Sequence, residues 1–243
     1  MALKAYVKKK LNWLSSLRGS EKNRIFRLYE KILAPLRSLP DFLIIGAPKC
    51  GTTSLFEYLS KNPYIKRPIY KEIHFFSSKL YHRYGLNYYK SFFPTKLHKF
   101  ICKFIYNRKV SSFEASTSYF DDELTPKRVF SIMPYVKIIL LLRNPIDRAY
   151  SHYNMLKRFN QISISFERTI KQEKREFLGI GTYIHPIKRW NEYFDLNDIF
   201  IIKSEEFFEN PSKILSALYK DLEYIVQPTK KIAEIKKPWI MTN

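Results

Sequence analysis

Asp41-Phe-Leu-Ile-Ile-Gly-Ala-Pro-Lys-Cys-Gly-Thr-Thr-Ser-Leu55 is an apolar run that opens into a glycine-bounded loop and continues into an amphipathic stretch. The order reads as strand, tight turn, helix. Gly46 and Gly51 have the spacing of a nucleotide-binding P-loop, in which successive backbone N–H groups and a helix N-terminus present partial positive charge to an anion. Thr52 stands where an ATPase or kinase carries its lysine. The only lysine of the loop is Lys49, three positions earlier, so its ammonium is expected to reach a different atom of the anion. This weakens a Mg-ATP reading.

The rest of the chain supplies more strands of the same kind. Val136–Leu142 is a β-branched and leucine-rich run bounded by Pro134 and Pro145, as a buried parallel strand requires. Further strands are expected at Phe42–Ile45, Phe100–Tyr106, Val110–Phe113 and Ile199–Lys203. Helices are expected from Thr53 to Lys61, from Lys127 to Met133, after the N-cap Asn144 with Pro145 in its first position, and at about 165–177, 182–194 and 211–222. Tyr64–Pro94 reads as an irregular aromatic segment. Strands alternating with helices predict an α/β fold, a P-loop-type three-layer sandwich with a central parallel sheet flanked by helices. Residues 1–40 mix lysines with apolar residues at near-helical spacing and are expected to form a basic amphipathic arm. It packs on the domain of residues 41–243 or makes peripheral contact with an anionic membrane surface.

The 243 residues suffice for one sizeable core, and 45% hydrophobic residues argue against a largely disordered chain. Lys+Arg exceed Asp+Glu by 43 − 22 = 21, a field that attracts nucleic acid, an acidic carbohydrate or an anionic cofactor. Two cysteines, Cys50 and Cys102, make neither a disulfide framework nor a metal cluster. No apolar run approaches membrane-span length, and the N-terminus lacks a signal-peptide core, so a reducing cytoplasm is the expected address.

A second constellation is Leu141-Leu-Arg-Asn-Pro-Ile-Asp-Arg-Ala-Tyr-Ser-His-Tyr153. Where an ATPase ends this strand with a metal-holding aspartate, Arg143 offers a guanidinium fork suited to phosphate oxygens, and Ser151 lies two helical turns further on. Two anion sites on neighbouring strand ends suggest a cofactor phosphorylated at two places. Arg143 alternatively caps the helix or pairs with Asp147.

These residues resemble the sulfotransferases that use 3′-phosphoadenosine 5′-phosphosulfate (PAPS), especially the carbohydrate branch that includes the heparan sulfate enzymes. The resemblance runs from about Phe42 to Tyr224. Pro48-Lys49-Cys50-Gly51-Thr52-Thr53-Ser54 looks like the loop for the 5′-phosphosulfate, and Arg143-Asn-Pro-Ile-Asp-Arg148 with Ser151 and Tyr153 like the 3′-phosphate motif. Lys71-Glu-Ile-His-Phe-Phe76 is similar to the segment that supplies the catalytic carboxylate. Glu114-Ala-Ser-Thr-Ser-Tyr-Phe120, Gly181-Thr-Tyr183 with Trp190, and Ile202-Lys-Ser-Glu-Glu206 before Asn210-Pro211 are weaker matches. Two departures stand out. Ala115 occupies a position where several heparan enzymes carry lysine. No glycine follows Gly181, where the family closes the cofactor site with a basic glycine-containing loop, so either Lys230, Lys231, Lys236 and Lys237 take that role or the cofactor is held more weakly.

The resemblance implies Lys49 and the loop N–H groups at the leaving group, and Glu72 as the base for an acceptor hydroxyl. His74 is the runner-up base or the orienter of Glu72. The resemblance further implies that PAPS is held by Lys49, Cys50, Gly51, Thr52, Thr53, Ser54, Arg143 and Ser151, with no metal expected. Without it, Glu72 reads as a carboxylate paired with Lys71 or Arg67. The acceptor is expected to be a carbohydrate or another hydroxyl-bearing, and in some cases acidic, molecule. Competing readings are a P-loop small-molecule kinase, which needs a lysine at position 52 and an acidic metal ligand after Leu142, and a non-catalytic basic nucleic-acid-binding module. No specific nucleic-acid signature is present.

Overall fold

A computed structural model describes residues 33–107, 109–172 and 177–222. Of the arm expected over residues 1–40, residues 1–32 lie outside them, as do Lys230, Lys231, Lys236 and Lys237. Five strands are described: β1 (Phe42–Gly46), β2 (Ile65–Lys66), β3 (Ser111–Ala115), β4 (Lys137–Leu142) and β5 (Ile199–Lys203). They form one sheet in the order β2-β3-β1-β4-β5, and every pairing is parallel. The helices are α1 (Thr52–Ser60), α2 (Leu80–Lys90), α3 (Lys96–Tyr106), α4 (Thr125–Ile132), α5 (Pro145–Arg158), α6 (Phe166–Gln172), α7 (Ile184–Asn191), α8 (Ser204–Glu209) and α9 (Pro211–Asp221).

The sheet is the core. All of β1 and β3 is buried, as a central strand covered on both faces requires. Phe42 of β1 stacks on Phe113 of β3 with ring centroids 5.3 Å apart, and Phe56 of α1 tilts onto the same Phe113 ring. Asn144 caps α5 as expected, its side chain accepting the Ile146 N–H at 2.9 Å, with Pro145 in the first turn.

Two expectations are corrected. Phe100–Tyr106 is helix, not strand: it belongs to α3, whose N-cap Thr95 accepts the His98 N–H at 3.1 Å and which ends at the left-handed Asn107. Its apolar residues recur at Leu97, Phe100, Ile101, Phe104 and Ile105, the helical and not the alternating period. The segment Tyr64–Pro94 is not irregular throughout but contains β2 and α2. Gly85, at φ 70° and ψ −178°, interrupts α2 and breaks the pattern that would reveal it.

Candidate active site

Because all five strands run the same way, the segments that follow them emerge at one edge of the sheet. Lys49 follows β1, Glu72 lies beyond β2, Thr117 follows β3 and Arg143 follows β4. All four line one cavity of about 430 Å³, together with Ser151 of α5. A cavity of that volume is in the range of small-molecule sites, ~300–1,000 Å³.

The phosphate-type loop is built tightly. A Cβ at Gly46 would fall 2.6 Å from that of Phe120, and one at Gly51, where φ is +90°, 2.9 Å from the Phe208 ring. The Ser204 hydroxyl lies 2.6 Å from the Cys50 carbonyl and 2.9 Å from that of Leu142, joining the loop to the end of β4. Tyr183 donates to the Arg143 carbonyl at 2.9 Å and lies 3.6 Å from the Cys50 sulfur. Glu205 accepts the Asn144 N–H at 2.8 Å. Arg143 forms no ion pair with Asp147 among the described residues. Burial, followed by the like charges of Arg158 and Arg143, lowers the Lys49 ammonium below its ordinary pKa. Cations pressed together in this way favour an anion between them, and the first turn of α1 adds N–H groups that have no intrahelical acceptor.

Five non-glycine residues have positive φ among the described residues, and three of them are Lys49, Glu72 and His74. The other two, Asn107 and Asn160, are of a type that tolerates the left-handed region. Such conformations cost about 1–3 kcal/mol each and persist where the surroundings over-determine them. Phe75 and Phe76 are that constraint: both are fully buried and pack on Tyr89 with centroids 4.7 and 4.9 Å away. With the phenylalanines anchored inward, Glu72 turns to the cavity. Its Oε2 accepts the Thr117 N–H at 2.8 Å and its Oε1 meets the Lys71 ammonium at 2.5 Å. His74 Nε2 lies 3.6 Å from Glu72 Oε2, and its Nδ1 lies 2.6 Å from the Ser118 hydroxyl.

Beneath this segment Glu114 is completely buried. Ser116 and Tyr119 donate to its Oε1 at 2.6 and 2.7 Å, and Tyr89 donates to Oε2. The two hydroxyls in turn accept the His74 N–H at 3.0 Å and the Phe76 N–H at 3.3 Å, so Glu114 holds the Glu72 segment through its backbone. Burial raises the Glu114 pKa from 4.5 to about 7, against the lowering effect of its three hydroxyl donors and with a further rise from Glu72. With the folded value above the unfolded one, the contribution of the protonated form is complete below about 4.5 and is lost as pH rises through about 7. Unfolding in urea is therefore expected to show stability falling by up to ~3 kcal/mol between about pH 5 and about pH 8, with Glu114→Gln removing most of that slope. An unchanged slope in the variant would assign the effect elsewhere.

Of the residues singled out in the sequence, Lys49, Gly51, Thr52, Thr53, Glu72, Arg143 and Ser151 line the cavity. Cys50, Ser54 and His74 do not: the Cys50 side chain is buried toward Tyr183, and His74 stands behind Glu72. Lys71, Thr117, His152 and Phe208 also line it and were not singled out. Lys71 and Thr117 lie inside quoted motifs, so that signal was available; nothing in the local sequence marks Phe208. Among the described residues no three His, Cys, Asp or Glu side chains gather as a metal site.

A family model described as the sulfotransferase domain matches residues 39–242. The bifunctional heparan sulfate N-deacetylase/N-sulfotransferase 1 of Caenorhabditis briggsae is 31% identical over 209 residues, covering 77% of this chain and 23% of its own length. The corresponding enzyme 4 of Mus musculus is 33% identical over 202 residues, covering 76% and 22%. The chain thus spans under a quarter of these relatives. Among solved structures, a sulfotransferase from Alicyclobacillus acidocaldarius superposes with a TM-score of 0.63 at 28% identity, covering 77% of this chain and 82% of that one. A mouse sulfotransferase complexed with PAP shares the fold, with a TM-score of 0.52 at 19% identity over 83% and 64%.

Proposed function

The chain belongs to the sulfotransferase-domain family, and from that premise we propose that it moves a sulfo group from PAPS to a carbohydrate acceptor. The observation that carries this reading is the lining of one cavity by Lys49, Arg143 and Glu72, two cations and a carboxylate supplied by different strand ends. The donor fits the residues present. Lys49 with the start of α1 suits one phosphate, Arg143 with Ser151 suits another, and the mutual repulsion of the cations is relieved by either.

The donor supplies a sulfo group whose leaving group is a phosphate. Lys49 and the α1 N–H groups stabilise the negative charge that grows on the bridging oxygen as the S–O bond breaks, which is binding directed at the transition state. Arg143 and Ser151 hold the 3′-phosphate and fix the nucleotide's register. Glu72 accepts the proton of the attacking acceptor, its carboxylate aimed by Thr117 and Lys71 and backed by His74. That base serves a hydroxyl or an amine. The hydroxyl is the acceptor that the family resemblance implies, and the N-sulfotransferase name of the relatives favours the amine as the second reading. A screen with labelled donor on N-acetylated against de-N-sulfated heparan chains separates the two. The net charge of +21 suits an acidic acceptor. Two free thiols, Cys50 and Cys102, fit a reducing compartment, and the cytoplasm is the address we propose.

Thermal unfolding tests the donor. Adenosine 3′,5′-bisphosphate at a hundredfold excess over its Kd is expected to stabilise the protein by about 2.7 kcal/mol, several degrees in Tm, while ATP with Mg²⁺ does much less. Stabilisation by ATP with Mg²⁺ alone would replace this reading with a kinase.

A further inference from the structure

The helix α3 is built inside out. Its apolar residues Leu97, Phe100, Ile101, Phe104 and Ile105 share one face and are 64%, 62%, 39%, 79% and 63% exposed, whereas Lys99 and Cys102 on the other side are partly covered. Lys99 is tied to Asp41 at 2.5 Å, which fixes the rotation of the helix and leaves the apolar face directed away from the domain. Large apolar side chains gathered on one exposed face mark an interaction surface.

Charge selects the partner. No Asp or Glu occurs between Glu72 and Glu114, while eight Lys or Arg do, and Lys96 and Lys103 of α3 are themselves exposed. A second copy of the chain would bring this lysine rim against itself. The chain's own N-terminal segment, residues 1–32, carries nine Lys or Arg against two Asp or Glu, again the same sign. That segment joins the described fold beside α3, because Arg37 bridges Thr95, the N-cap of the helix, and the Ser38 N–H donates to the Pro94 carbonyl at 3.0 Å. The exposed Leu36 lies next to that bridge. We propose that the outward face of α3 docks on an anionic phospholipid surface, with its lysines at the headgroups and Leu97, Phe100, Phe104 and Ile105 among the acyl chains.

Eleven residues of helix measure about 16 Å, far short of the ~30 Å hydrocarbon core, so α3 lies in the plane of the interface. No helix among the described residues is long and apolar enough to cross a membrane. Lysine stems cover apolar surface while their ammonium groups stay in water, which suits Lys96 and Lys103 to this position. The active-site cavity includes no residue of α3.

Co-sedimentation of the full chain with vesicles tests the proposal. Mixed phosphatidylserine and phosphatidylcholine vesicles are expected to bind it, pure phosphatidylcholine vesicles at least about tenfold less, and added salt to weaken the binding. The variant Phe100→Ser with Phe104→Ser removes exposed side chains, keeps the thermal melting profile, and is expected to lose binding to the mixed vesicles by at least about tenfold. Wild-type protein that ignores mixed vesicles overturns the proposal. So does a variant that binds as well as the wild type, which would leave any membrane contact to residues 1–32. A dimer in size-exclusion chromatography that the variant converts to monomer would assign the face to a second copy and overturn it equally.

Discussion

Lys49→Ala is expected to lower kcat/KM for sulfo transfer by about 10²–10³, a loss of ~2.7–4 kcal/mol of transition-state stabilisation. Lys49 sits in the turn after β1, at φ 69° before the start of α1, where the helix N-terminus adds partial positive charge to that of its ammonium. Charge on the bridging oxygen is small in the bound donor and grows as the sulfur departs. The lysine therefore contributes more to the rate than to ground-state binding. Affinity for adenosine 3′,5′-bisphosphate should fall by a smaller factor than kcat/KM, and direct binding set beside initial rates measures the difference. Equal losses in the two would make Lys49 a general phosphate ligand with no special part in the chemistry.

Glu72→Gln carries the second large effect: kcat falls by about 10²–10⁴ while bisphosphate binding stays as in the wild type. The carboxamide keeps the shape of the side chain and one acceptor oxygen for the Thr117 N–H, and gives up both the capacity to take a proton and the ion pair with Lys71. The expected signature is a collapse in turnover without a change in nucleotide affinity. Full transfer by the variant would remove Glu72 from the base role. Because His74 stands 3.6 Å behind Glu72 and outside the cavity lining, His74→Asn should cost less than Glu72→Gln.

The strand, loop and helix around Lys49 were legible because three local signals agree there: a buried apolar run, two spaced glycines and an amphipathic continuation. The end of β4 was legible for the same reason, with Asn144 and Pro145 announcing a helix immediately after the cation. The helix α3 was misread as a strand because Phe100–Tyr106 is dense in aromatic and β-branched residues, and its helical period shows only once Leu97 and the N-cap Thr95 are read with it. Cys50 and Ser54 fell inside the motif but off the cavity, since a tight turn presents only some of its side chains to one side. Residues distant in sequence were beyond local reading altogether. Ser204 reaches the Cys50 carbonyl across 154 positions, and Phe208 closes on Gly51. Glu114 was seen as part of a motif, yet its work, holding His74 and Phe76 through two hydroxyls, exists only once β3 is laid beneath the Glu72 segment.

The central claim is that Lys49 and Arg143 grip two phosphates of one nucleotide. Titration calorimetry of wild type and Arg143→Ala with adenosine 3′,5′-bisphosphate and with adenosine 5′-monophosphate tests it most directly. The wild type should prefer the bisphosphate by about 10- to 100-fold, the worth of charge-assisted hydrogen bonds to a second phosphate, and Arg143→Ala should bind the two nucleotides alike. A variant that still prefers the bisphosphate as strongly as the wild type would contradict the account.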